Sequence, residues 1–220
     1  HHYPSYLSRE SDDHNDDNSK CLHDTEILCK AIPRNGFFIL DPDQNLHKTR
    51  AVFSRIFSKY MKEWVGIQRR WPKDKEITTG LKEKDIISYI GHGSGSRFLL
   101  NTISMGNEFK SVCLLFGCSS ARSQLIGRNE LQSHFITYLI AGCPSILGML
   151  WNVTDNWFCK DEDATAKLNE DKADLTKQAL KCVGACKLKN LNGKAVAVYG
   201  IPVMRSTENL YQPFDVDFIK

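Results

Sequence analysis

Residues 85–93 read DIISYIGHG, and residues 112–120 read VCLLFGCSS. Each stretch begins with a short continuous apolar run, which is typical of a strand buried on both faces, and then passes through glycine to one reactive side chain. His92 and Cys118 are 26 positions apart (118 − 92), and each follows a predicted strand. The carboxyl ends of parallel strands meet at one edge of a sheet, where α/β proteins bind their ligands. We therefore expect an imidazole and a thiol to meet there, as in a cysteine protease.

The rest of the chain alternates between strand and helix patterns. Apolar runs predict further strands at 36–40, 145–151 and 195–200, and an apolar stripe at three-to-four spacing predicts a helix over 52–64. A charged helical region is expected at 164–182. This alternation predicts an α/β fold with a mostly parallel sheet and helices on both faces.

A further helix is expected between the strands at 112–116 and 145–151. Asn129 and Gln132 have the spacing of a capping box, and the apolar residues from Leu131 to Ile140 follow a helical period. Gly142 then favours a helix end.

The distribution of apolar residues divides the chain into three regions. Residues 1–35 are acidic and hold few large apolar side chains, so we expect a flexible loop or an insertion. Residues 36–204 are expected to form one domain, and residues 205–220 a carboxyl-terminal tail. Because the chain begins with His1 rather than Met, it is expected to be part of a longer protein.

The composition excludes several classes of function. The 220-residue chain is 41% hydrophobic and 25% charged, which is enough to build the core of one domain. A formal net charge of +3, with no basic cluster interleaved with aromatic residues, argues against nucleic-acid binding. No apolar run approaches the ~18 residues of a membrane span, so we expect no membrane partner. Eight scattered cysteines indicate reduced thiols and an intracellular protein.

Both reactive residues have alternative interpretations. Taken alone, His92 would be interpreted as a histidine in a glycine-rich turn. Cys118 alone would be interpreted as a small apolar residue of the core. Because both residues directly follow predicted strands, a catalytic role is favoured. The glycine-rich run at 91–95 lacks the third glycine of a dinucleotide fingerprint and the Gly-Lys-Ser/Thr ending of a P-loop. Cys182 and Cys186 lack a second pair at metal-ligand spacing. We expect no metal and no cofactor.

The segment after the strand at 145–151 is the candidate for substrate binding. Trp151 ends this strand, so we expect it at the active edge of the sheet. The acidic run at 161–163 is by default the solvated start of a helix, where negative charge is favoured. Its place just after this loop also makes it a candidate cation-binding site.

Four segments together resemble the protease domain of separase. The resemblance extends from about Phe37 to Val203. The segments are the Tyr-x-Gly-His-Gly-x-Gly pattern at 89–95, Phe-Gly-Cys-Ser-Ser at 116–120, Ala-Gly-Cys-Pro at 141–144 and Gly-Met-Leu-Trp-Asn-Val-Thr-Asp at 148–155.

This resemblance implies a caspase-like fold and a cysteine endopeptidase that cuts the kleisin subunit of cohesin after arginine, thereby releasing sister chromatids at anaphase. It implies that His92 is the general base, that Cys118 is the nucleophile, and that backbone N–H groups of Gly93 and Cys118 form the oxyanion hole. The implied partners are the securin inhibitor and chaperone, the kleisin substrate and a helical amino-terminal region of the same protein. Cytoplasm and nucleus are the implied locations.

The sequence departs from the family in its specificity loop. The family usually places an acid for the substrate arginine at the position of Cys159, and Asn152 replaces a common aspartate. Because a guanidinium needs a carboxylate for strong selection, we expect Asp155 or Asp161 to provide it.

Two other functions remain open at the level of sequence. Another caspase-like peptidase, of the CHAT type, would share the His-Gly and Cys-Ser signatures. A catalytically silent module that binds securin-like partners would be consistent with the altered specificity loop.

Overall fold

The computed structural model describes residues 29–97, 99–100, 106, 109–126, 130–153, 190 and 192–205. In chain order, its elements are β1 (Cys29–Ala31), β2 (Gly36–Leu40), α1 (His47–Tyr60), β3 (Val65–Gln68), α2 (Asp74–Glu83), β4 (Ile86–Ile90), β5 (Val112–Leu115), β6 (Gln124–Ile126), β7 (Glu130–Gln132), α3 (His134–Ile140), β8 (Ser145–Met149), β9 (Val196–Gly200) and β10 (Val203–Arg205).

A six-stranded sheet with the order β3-β2-β4-β5-β8-β9 forms the centre of the molecule. Neighbouring strands are parallel except for β9, which runs antiparallel to β8. Every residue of β2, β4 and β8 is buried, as expected for strands covered on both faces. The sheet and its helices confirm the predicted α/β, caspase-like fold.

Alternating side chains of each strand divide the core between the two faces of the sheet. On one face, Phe38 of β2 stacks on Phe57 of α1 with ring centroids 3.9 Å apart. On the opposite face, Phe37 of β2 belongs to a cluster that includes Leu81 of α2 and Tyr138 of α3. Helices therefore cover both faces of the central strands.

The predicted helix around residues 129–142 is wrong in its first part. Residues 130–132 form β7, which pairs with β6 in an antiparallel hairpin where Leu131 lies opposite Leu125. The helix α3 begins only at His134, after Ser133 at its N-cap. The capping-box spacing was misleading because the strand depends on a pairing partner that helix periodicity does not reveal.

The first element that the structure describes lies inside the region predicted to be a loop. Residues 29–31 form β1, which pairs in parallel with β10, so that Cys29 lies opposite Val203. The Ile32 N–H also donates to the Asp85 carboxylate at 2.9 Å, which ties this segment to the start of β4. Residues 1–28, the predicted helical region at 164–182 and residues 206–220 lie outside the described residues.

None of the described helices is long and apolar enough to cross a lipid bilayer.

The turn after β2 is held by a buried carboxylate. Asp41 has a left-handed backbone, with φ at 48°, and its side chain is fully buried. One oxygen accepts hydrogen bonds from the backbone N–H groups of Asn45 and Leu46, each at 3.0 Å. The other pairs with Arg50 of α1 at 2.6 Å. The strand end, the turn and the first helix are thus fixed by one side chain.

Replacing Asp41 with alanine should lower the free energy of unfolding by about 3 kcal/mol or more, because two N–H groups and a mostly buried guanidinium lose their acceptor. Denaturant unfolding followed by circular dichroism measures the change. The control is Glu63→Ala, which removes an exposed ion pair with Arg34 at 3.9 Å and should cost less than about 1 kcal/mol. Equal losses for the two variants would contradict the role of Asp41.

Candidate active site

The two reactive residues leave the same edge of the sheet on neighbouring strands. β4 and β5 are adjacent and parallel, with Tyr89 opposite Leu115. The Phe116 N–H continues the pairing beyond β5 by donating to the Tyr89 carbonyl at 2.8 Å. His92 and Cys118 follow these paired ends, so the structure places their loops side by side.

The backbones of the two loops are in close contact. A Cβ atom added to Gly117 would lie 1.8 Å from the carbonyl oxygen of Gly93 and 3.0 Å from a ring carbon of Tyr89. Gly93 itself has φ at 66°, a conformation that glycine adopts without strain. Only glycine at position 117 permits this approach, which fixes the residue before Cys118 against the residue after His92.

The backbone of His92 is anchored while its ring remains exposed. The Tyr89 hydroxyl donates to the His92 carbonyl oxygen at 2.5 Å. Burial raises the pKa of this phenol well above its usual value, and the nearby groups of Asp43 and Cys118 raise it further. Tyr89 is therefore a stable donor at physiological pH, and the imidazole is left accessible for proton transfer.

Cys118 is half-buried in a tight turn that is tied to the chain after β8. Its thiol donates a weak hydrogen bond to the Val153 carbonyl at 3.5 Å. The next residue, Ser119, has φ at 57°, and its N–H donates to the Trp151 carbonyl at 3.2 Å. The Ser119 hydroxyl also donates to the Asn152 side-chain oxygen at 3.0 Å. The nucleophile candidate and the first residues of the specificity loop thus form one connected unit.

A second serine fixes the base of the same turn. The Ser120 hydroxyl is buried, donates to the Leu115 carbonyl at 2.8 Å and accepts from the Met149 N–H at 2.9 Å. The Ala121 N–H donates to the Met149 carbonyl at 2.9 Å. Ser120 and Tyr89 were not predicted as site residues. The only sequence signal was their position within the two signatures. The bond between Ser120 and Met149 joins residues far apart in the chain, and the bond of Tyr89 depends on the fold of the His92 turn.

The predicted oxyanion donors lie at the contact between the two loops. Among the described residues, the N–H groups of Gly93 and Cys118 donate no hydrogen bond to another protein group. No hydrogen bond joins the His92 ring to the Cys118 thiol either, and such contacts often tighten only when a substrate is bound. The catalytic roles assigned to these residues stay predictions.

The predicted substrate-binding residues are only partly described. Trp151 lies two residues beyond the end of β8 rather than inside the strand, is 37% exposed, and accepts a hydrogen bond from the Ser119 N–H; its role in substrate binding stays a prediction. Asp155, Asp161 and Cys159 lie outside the described residues, so their roles stay predictions. Within the part of the chain that the structure describes, no group of three or more histidine, cysteine or acidic side chains is arranged to bind a metal.

Comparison with known proteins gives one consistent family. Residues 5–156 match the family model of the separin protease domain. The chain is 35% identical to mouse separin over 187 residues, which are 83% of this chain and 9% of that protein. Over 186 residues it is 30% identical to Saccharomyces cerevisiae separin, covering 79% of this chain and 11% of that protein. The chain thus spans about a tenth of the length of the curated relatives it matches.

Solved structures agree with the sequence matches. The fold superimposes on separase in the separase–securin complex of Saccharomyces cerevisiae with a TM-score of 0.67 and 28% sequence identity, covering 80% of this chain and 12% of that one.

The family match begins at residue 5 rather than near Phe37, where the sequence resemblance was placed. Part of the acidic amino-terminal region therefore belongs to the family domain.

Proposed function

Since this chain belongs to the separase family and has its caspase-like protease domain, we propose that it is the catalytic part of a cysteine endopeptidase that cuts after arginine. The observation that carries this proposal is the backbone contact between Gly93 and Gly117. It holds an exposed imidazole and a partly accessible thiol on touching loops, with N–H groups beside them.

The mechanism uses only side chains and backbone groups of these loops. His92 accepts the thiol proton, and the Cys118 sulfur then attacks the scissile carbonyl. The N–H groups of Gly93 and Cys118 stabilise the oxyanion of the tetrahedral intermediate. His92 protonates the leaving amine and afterwards activates the water that hydrolyses the thioester. Tyr89 keeps the His92 backbone in place through its hydroxyl.

The family supports a substrate and partners for this activity. The proposed substrate is the kleisin subunit of cohesin, whose cleavage releases sister chromatids. Securin is the proposed inhibitor, because a similar solved structure is a separase–securin complex. The chain acts together with an amino-terminal helical region of the same protein, in the cytoplasm and nucleus.

An active-site probe tests the nucleophile and the specificity together. A thiol-reactive peptide with arginine at the first recognition position should label the protein, and Cys118→Ser should abolish the labelling. The control is the same probe with aspartate in place of arginine. Labelling by the aspartyl probe alone would favour a different caspase-like peptidase, and no labelling by either would favour a silent binding module.

The specificity loop provides a separate prediction. Asp155→Ala or Asp161→Ala should reduce kcat/KM for an arginine peptide by about 10-fold or more, because a charged hydrogen bond to the guanidinium is lost. Steady-state cleavage of arginine peptides measures this effect. Unchanged arginine selectivity in both variants would contradict a role for either acid.

A further inference from the structure

The carboxylate of Asp43 lies near the active edge of the sheet. At this place the chain segments that follow two neighbouring strands pack on opposite faces of the sheet. The chain leaves β2 toward α1, which packs on one face, and leaves β4 toward Leu99, which packs on the other. β2 and β4 are neighbours. In such sheets the usual ligand position lies beyond the carboxyl ends of two strands arranged in this way. Residues 41–44 follow β2 at this position.

Residues 41–44 form a tight turn with one exposed acid. The Gln44 N–H donates to the Asp41 carbonyl at 3.2 Å, and both residues have left-handed backbones. The buried Asp41 side chain anchors the turn from below. Asp43 is exposed at the tip and makes no hydrogen bond or ion pair with any described residue. The turn thus fixes the backbone of Asp43 and leaves its carboxylate open to a ligand.

The turn lies against the His92 loop. A Cβ atom on Gly91 would lie 3.1 Å from Pro42 and 2.6 Å from the Tyr89 hydroxyl oxygen, so these groups are in close contact. Asp43 follows Pro42 directly, so its backbone lies next to this contact with the His92 loop. Asp43 also adds to the effect of burial in raising the pKa of the Tyr89 hydroxyl.

We propose that Asp43 binds the guanidinium of the substrate arginine and so contributes to the selectivity of cleavage. The inference rests on the proposed arginine-directed function. Asp43 adds to the role proposed for Asp155 or Asp161, because the position that usually carries the acid in the family holds Cys159. An exposed carboxylate on a fixed turn beside the His92 loop suits this role, since arginine binds carboxylates by charge-assisted hydrogen bonds.

The test compares two peptides that differ only in charge. One has arginine before the scissile bond, and the other has citrulline, its neutral isostere. Asp43→Asn in the intact protein should reduce kcat/KM for the arginine peptide by about 10- to 100-fold and leave cleavage of the citrulline peptide unchanged. Asp43→Glu should restore part of the arginine preference. The control is Glu83→Gln, which neutralises an exposed acid at the opposite edge of the sheet.

The outcomes separate this inference from the proposed function. If the unaltered protein prefers arginine and Asp43→Asn keeps that preference, Asp43 does not bind the guanidinium although the arginine-directed function holds. An equal loss for both peptides would assign Asp43 a purely structural role and overturn the inference. An unaltered protein that does not prefer arginine over citrulline would contradict the proposed specificity itself.

Discussion

Replacing His92 with alanine should reduce kcat/KM for peptide cleavage by about a thousandfold or more, because the reaction loses its general base and acid. The free energy of unfolding should hardly change. The imidazole is exposed and makes no hydrogen bond with another described residue, whereas the structural contact of His92 is made by its backbone carbonyl. Peptide cleavage and denaturant unfolding on the same preparations measure both quantities.

A matched histidine and a double variant make this test specific. His134→Ala alters another exposed histidine, at the start of α3, and should retain full activity. His92→Ala combined with Cys118→Ala should be no less active than Cys118→Ala alone, because residues that act as one catalytic unit give strongly non-additive losses. If the two losses multiplied, His92 and Cys118 would not act in the same step. Full activity of His92→Ala would exclude it as the base.

Gly117→Ala should reduce activity by about 100-fold or more, since displacements of about 1 Å at a catalytic site have effects of this size. The added methyl group would overlap the Gly93 carbonyl oxygen at 1.8 Å, so the Cys118 and His92 loops must separate. Overpacking of this kind also costs about 1–3 kcal/mol of stability. Cleavage kinetics and unfolding curves measure the two effects.

The control is Gly106→Ala, at a glycine with φ at 74° and open space around its Cβ position. Alanine there meets only the left-handed strain of about 1–2 kcal/mol and should leave kcat unchanged. The comparison separates a general cost of adding a methyl group to glycine from the specific contact between the loops. Normal kcat in Gly117→Ala would show that catalysis does not require this contact.

The buried central strands were predictable because the apolar run that marks each of them is a local signal. The apolar runs of β2, β4, β5 and β8 are buried on both faces, and no partner is needed to recognise them. The helix α1 was predicted from its apolar stripe, although it begins at His47 and ends at Tyr60 rather than spanning 52–64. Its ends depend on turn contacts such as that of Asp41.

Elements without a buried apolar run were not predictable, because no local signal in the sequence marks them. The edge strand β3 contains a glycine and is largely exposed, and it is a strand because it pairs with β2. The helix α2 has few apolar residues, but Glu76 caps its start by accepting from the Lys73 N–H at 2.8 Å and pairs with Arg70. β1 depends on a partner far away in the sequence, and β7 depends on its hairpin partner β6. Such pairings leave little trace in local sequence.

The position of the reactive pair follows from local sequence alone, since apolar runs that end in glycine place His92 and Cys118 after buried strands whatever the order of those strands. The tertiary structure set the other features of the site. It made β4 and β5 neighbours, pressed Gly117 against Gly93, and brought the turn with Asp43 beside the His92 loop. These features depend on packing between residues far apart in the chain, which no local pattern encodes.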